Sequence, residues 1–139
     1  MNTTAFALTG YIVWMLVLVG GIAVLRITVS LSRHKPANSF RPDGSDVSPF
    51  SERLCRAHAN CYESFPFIGG LLLLALATNA TDITNSLALV ALGSRILQSL
   101  THLYSTSVTA AQLRFGFFIM QYVIAIYWTI QFLLRFSIY

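Results

Sequence analysis

Charge is what this sequence has least of. Nine Lys or Arg and five Asp or Glu make up 10% of its 139 residues, where a soluble domain carries about 25%. So few ionised groups cannot keep a compact particle wetted, and a soluble enzyme is excluded. Cysteine is nearly absent as well. Cys55 and Cys61 stand six apart within one expected helix, a spacing that closes neither a disulfide nor a CxxC-type metal or redox site, so they read as small packing residues. His34, His58 and His102 form no metal-ligand pattern with the few carboxylates. Residues 1 to 5 contain no Lys or Arg, so the N-terminus lacks the basic start of a cleaved signal peptide. There is no internal repeat and no low-complexity tract.

What fills the chain instead is apolar: 55% of residues, with a mean hydropathy of +0.66. Phe6 to Leu25 and Ser64 to Thr81 carry no charge, Ile83 to Leu113 carries only Arg95, and Phe115 to Leu134 again carries none. A bilayer crossing takes roughly 20 apolar residues. The arithmetic predicts an all-α, integral membrane four-helix bundle with four transmembrane helices, at approximately 5–32, 49–78, 83–104 and 110–136, in a single domain spanning 1–139. The net charge of +4 is spread over the spans and forms no patch, which argues against nucleic acid.

The basic residues speak to topology instead. Arg26, Arg33, Lys35 and Arg41 follow the first run, Arg53 and Arg56 open the second, and Arg114 closes the third connection. The positive-inside rule then puts loops one and three in the cytoplasm and both termini on the far side, as in a multi-pass protein of a bacterial inner membrane; Arg135 is the exception. Loop one is the only sizeable polar segment. Its Pro42-Asp43-Gly44 reads as a turn, and Ser48 before Pro49 reads as an N-cap with proline at the first helical position. Pro66 removes one backbone hydrogen bond within helix two.

The informative residues are polar ones within the spans. Arg53, Arg56, Asn60 and Glu63 recur at helical spacing on one face of helix two, and Arg95, Gln98 and His102 do so on helix three. Ionised groups at membrane depth cost roughly 2.5–3.5 kcal/mol each on insertion scales unless paired or hydrated, so the two stripes are expected to face each other or a shared cavity. Two readings remain open: Glu63 and Arg95 pair to fix the register of the bundle, or an excess of guanidinium beside one carboxylate holds a zwitterionic ligand. Arginine forks grip carboxylates, and Glu63 suits an amine.

The stretch Glu52 to Phe67, ERLCRAHANCYESFPF, resembles the signature of the MAPEG family, the membrane-associated proteins of eicosanoid and glutathione metabolism. The matching positions are Glu52, Arg53, Arg56, Ala57, Asn60, Glu63 and Pro66, with Arg95 on helix three and Arg114 within AAQLR resembling the leukotriene-forming branch. The resemblance implies a homotrimer of four-helix protomers, with glutathione as co-substrate between subunits and a lipophilic small molecule arriving from the bilayer. It implies that Arg56, Asn60, Glu63 and Arg95 bind glutathione and that Arg114 stabilises its thiolate. The eicosanoid branches carry tyrosine where this chain has His102, and the leukotriene branch does so at Gln98 and Ser64. Gln98 and His102 retain hydrogen-bonding capacity and count as ligand-binding candidates.

Three functions compete. One is a microsomal-type glutathione transferase or peroxidase acting on lipophilic electrophiles. A second is a non-catalytic trimer whose polar stripes are structural or hold another small anion. The third, a small proton-coupled transporter, wants a carboxylate in its first helix, and helix one has none. Arg26 reads as a snorkelling cation ahead of a ligand contact, and Arg114 has a topogenic alternative.

Overall fold

The computed structural model describes residues 2–138. Four helices follow one another: α1 (Thr3–Arg33), α2 (Pro49–Ala77), α3 (Thr81–Tyr104) and α4 (Val108–Ser137), with no strand among the described residues. Their starts are chemically marked. Asn2 Oδ1 accepts from Ala5 N, Ser48 Oγ from Ser51 N, and Ser107 Oγ from Ala110 N, each satisfying an orphan donor of a first turn. Pro49 occupies the first turn of α2, which then runs through Pro66 without interruption. The ends use left-handed residues, His34 at φ 54° after α1 and Asn79 at φ 56° after α2, as helix termini commonly do. Because Ser107 caps α4, the third connection shrinks to Ser105–Ser107, and Gln112 and Arg114 sit inside the helix.

α3 occupies the middle of the bundle. It packs on α1, α2 and α4, whereas α1 and α4 do not touch. This explains a departure from the expected four crossings. α1, α2 and α4 are each long and apolar enough to cross a membrane; α3 is less apolar and falls short on that criterion. Its buried positions include Thr84, Ser94, Arg95, Gln98 and Ser99, which three flanking helices shield from lipid. The chain is an integral membrane protein. Its large exposed residues, among them Val13, Leu16, Val17, Leu133 and Leu134, form the apolar exterior such a protein needs, while Trp128, Tyr11, Ile68, Leu72 and Phe132 fill the core.

The two ends of the bundle are fastened differently. At one end Thr4 Oγ1 and Thr84 Oγ1 lie 2.6 Å apart, Thr3 and Thr4 both bond Asn85, and Arg135 meets Asp82 through two contacts, one of 2.8 Å. At the other, the long loop folds back on α2. Gly44 N–H donates to Arg41 O at 3.1 Å, making the turn read from Pro42-Asp43-Gly44. Gly44 has φ 72°, and a Cβ there would lie 2.8 Å from the Ser51 carbonyl oxygen, so only glycine fits. Asp46 pins the loop. Burial works to raise its carboxyl pKa, but the Lys35 ammonium at 3.1 Å and the Arg41 N–H outweigh this and hold it below the usual carboxylate range.

Candidate functional site

α2 and α3 meet along the two polar stripes in part. The Asn60 amide and His102 Nε2 are 2.6 Å apart, and Cys61 Sγ lies 3.2 Å from Ser99 Oγ. Arg53 Nε donates to Leu103 O at 3.0 Å and Arg114 Nη1 donates to Ser105 O at 2.9 Å. Both arginines therefore cap the carboxyl end of α3, where orphan carbonyls and the helix dipole favour cations.

Arg56 and Glu63 lie elsewhere. Both are exposed on the outer side of α2. Arg56 pairs with Glu52 at 2.7 Å, one helical turn away. Glu63 enters no ion pair among the described residues, and it stands halfway along a helix about 44 Å long. The register-fixing pair Glu63–Arg95 does not form. The reason is geometric: Arg95 points into the bundle and Glu63 out of it.

Arg95 is 2% exposed, and its Nε and Nη1 have no partner. Tyr11 and Cys61 are its electrostatic neighbours. The Tyr11 hydroxyl bonds Ser64 Oγ and the Cys61 carbonyl, so α1 and α2 are stitched together beside the guanidinium. Gln98 is buried too. Its Nε2 donates to Arg114 O at 3.2 Å while its Oε1 accepts from Gln121 Nε2 at 2.9 Å. The seven candidates thus divide: Asn60, His102 and Arg114 are half-buried, Arg56 and Glu63 face outward, and Arg95 and Gln98 lie inside.

Tyr11, which reads from the sequence as an interface or packing aromatic, and Gln121 both enter polar contacts here. Gln121 had a legible signal, being seven residues, or two turns, after Arg114 in an otherwise apolar stretch. Tyr11 had none, since an aromatic in an apolar helix reads as packing. Arg26, assigned to the interface, lines a cavity of about 570 Å³ between α1, α2 and the loop, together with His58, Tyr62, Cys55 and Asp43.

The polar residues of α2, α3 and α4 sit inside a stretch of chain that the model of one family covers almost end to end: MAPEG family, residues 3–134. The chain belongs to the MAPEG family. No curated protein and no solved structure matches it significantly. MAPEG membership carries a general link to glutathione or eicosanoid metabolism in membranes, and it fits three membrane-spanning helices of adequate length around a polar α3.

Proposed function

We propose that this MAPEG protein is a glutathione-dependent transferase or peroxidase, embedded in the membrane and acting on lipophilic electrophiles, and that it works as a homotrimer. Glu63 carries the reading. A carboxylate at mid-helix, exposed from its own protomer and without an ion pair among the described residues, is a poor neighbour for lipid. A facing subunit with a zwitterionic ligand between them supplies what it lacks. In this reading Glu63 holds the amine of glutathione and Arg56 a carboxylate, with Asn60 and His102 adding neutral hydrogen bonds. Arg95 and Gln98 stand behind them in the wall of the site. α3 crosses the bilayer as the fourth span inside the bundle, and the loop end faces the cytoplasm.

Arg114 is the proposed catalytic group. A thiol of pKa about 8.5 is mostly protonated at neutral pH, and an adjacent guanidinium favours the thiolate. Arg114 spends one N–H on Ser105 O, and its fork has further donors to offer. The thiolate adds to an electrophilic carbon with departure of a leaving group. With a hydroperoxide the thiolate attacks the terminal oxygen, the O–O bond breaks, and the alkoxide leaves and is protonated to the alcohol; a second glutathione then displaces water from the resulting sulfenic acid to give the disulfide.

Isothermal titration of the detergent-purified protein with glutathione tests this. Wild type should bind, and Glu63→Gln should bind about tenfold more weakly, because a charge-assisted bond becomes a neutral one. No heat of binding for wild type would favour a structural role for the polar stripes, and equal affinities would remove Glu63 from the site.

A further inference from the structure

The contact between α3 and α4 carries a ring of hydrogen bonds that the proposed glutathione contacts do not use. Gln98 on α3 and Gln121 on α4 are 5% and 2% exposed. Gln121 Nε2 donates twice, to Gln98 Oε1 at 2.9 Å and to Phe117 O at 3.0 Å. Gln98 Nε2 donates onward to Arg114 O at 3.2 Å. Arg114, Phe117 and Gln121 follow one another at spacings of three and four, so they share one face of α4. The ring therefore joins two carbonyls of α4, about one turn apart, to one amide from each helix.

The ring runs in one sense only. A carbonyl accepts and never donates, so Gln98 must turn its NH2 towards Arg114 O and its Oε1 towards Gln121, which must present its own NH2. Gln121 Oε1 is thereby left buried without a partner among the described residues, a cost that methionine or leucine there would not carry. As packing, Gln121 is a poor choice. As the donor that fixes the Gln98 amide, it is well suited.

What the ring sets is the height of α4 against α3. Apolar surface gives helices in lipid no drive to associate, so close packing and interhelical hydrogen bonds decide how they meet. A slip of one residue, about 1.5 Å along the axis, would break both bonds made by Gln98. It would also carry Arg114 away from the end of α3, where Nη1 donates to Ser105 O at 2.9 Å. A misplacement of about 1 Å near the chemistry can cost about a hundredfold in rate.

We propose that Gln121 is a positioning residue for the glutathione reaction: acting through Gln98, it holds the backbone of Arg114 and so sets the guanidinium at the end of α3, where the thiolate is to be stabilised. The inference rests on the role given to Arg114 above. Gln98 then serves by holding Arg114 from within the wall of the site, not by touching glutathione.

Gln121→Met keeps the length and the apolar stem and removes both polar atoms. Initial rates of the detergent-purified protein with glutathione and a chlorodinitrobenzene electrophile test its effect. The kcat should fall about fivefold, the equivalent of one hydrogen bond of ordinary strength, with KM for glutathione unchanged. Combining Gln98→Met with Gln121→Met should cost no more than either alone, because the two side chains act in series. In an Arg114→Ala background Gln121→Met should cost nothing further. A loss of equal size in both backgrounds is what general loosening of the bundle gives, and it overturns the proposal, as does a wild-type kcat in Gln121→Met.

Hydrogen exchange reads the clamp apart from the chemistry. In Gln121→Met the amides of residues 112–121 should exchange about fivefold faster, with those of α1 unchanged. Unaltered exchange at 112–121 overturns the clamp, whether or not glutathione is turned over. Arg114→Ala as active as wild type instead overturns the reading of Arg114, and with it any catalytic consequence of the clamp, whatever the exchange shows. If Gln121→Met does not fold, Gln98→Met carries the same expectations and the same refutations.

Discussion

Replacing Arg95 with methionine should stabilise the ligand-free protein. The guanidinium is 2% exposed, and among the described residues Nε and Nη1 are both unpartnered and no carboxylate forms an ion pair with it. A buried donor left without an acceptor costs about 1–3 kcal/mol, so the two orphans together cost about 2–6 kcal/mol. Methionine keeps most of the apolar stem and fills the same space with a flexible thioether. The loss is the favourable interaction with Tyr11 and Cys61, about 1.5–3 kcal/mol for a bond to a charged group. The Tyr11 hydroxyl remains bonded to Ser64 and to the Cys61 carbonyl, so the substitution orphans no other group in that cluster. The net expectation is a gain of about 0.5–3 kcal/mol. Reversible unfolding in mixed micelles, followed by circular dichroism, gives the number directly. A loss of about 1 kcal/mol or more in Arg95→Met would refute the reasoning, since it would mean that the charge is well compensated. Arg95→Ala should behave oppositely, because it removes the stem and leaves a cavity.

Arg114→Ala should raise the pKa of bound glutathione thiol and reduce turnover at neutral pH, with a smaller loss at higher pH where the thiol ionises unaided. Thiolate absorbance against pH checks it, and superimposable curves for wild type and variant, both loaded with glutathione, would leave Arg114 as a topogenic charge. The native particle should be a trimer by native mass spectrometry in mild detergent; monomers or dimers alone would count against the role given to Glu63. Acid should release the first loop. Asp46 has a folded pKa below its unfolded value of about 3.9, so its contribution is complete above that value and disappears as pH falls through the folded pKa. Hydrogen exchange corrected for intrinsic rates should show constant protection of residues 36–48 above about pH 5 and a decline below about pH 4, and Asp46→Asn should abolish that decline.

The sequence by itself determined the elements of this protein. Long charge-free runs can only be satisfied as helices in lipid, and Ser48-Pro49 and Pro42-Asp43-Gly44 act through local backbone chemistry, so the α2 cap and the loop turn were readable without any tertiary contact. The family was legible for a similar reason, because Glu52 to Phe67 is a contiguous stretch whose pattern survives in one dimension. Tertiary structure decided where each polar side chain points. Helical periodicity placed Glu63 on a stripe with Arg56 and placed Arg95 with Gln98, but it contains no information on which side of a helix meets a neighbour. Packing α3 between the other three helices buried Arg95 and Gln98 and left Glu63 outside, which removed the Glu63–Arg95 pair that was one of two readings of the stripes. The same packing made a less apolar α3 tolerable within a membrane protein. It also brought in Tyr11 and Gln121 from two other helices, because polar groups enclosed away from water bond whatever donors and acceptors the fold puts beside them.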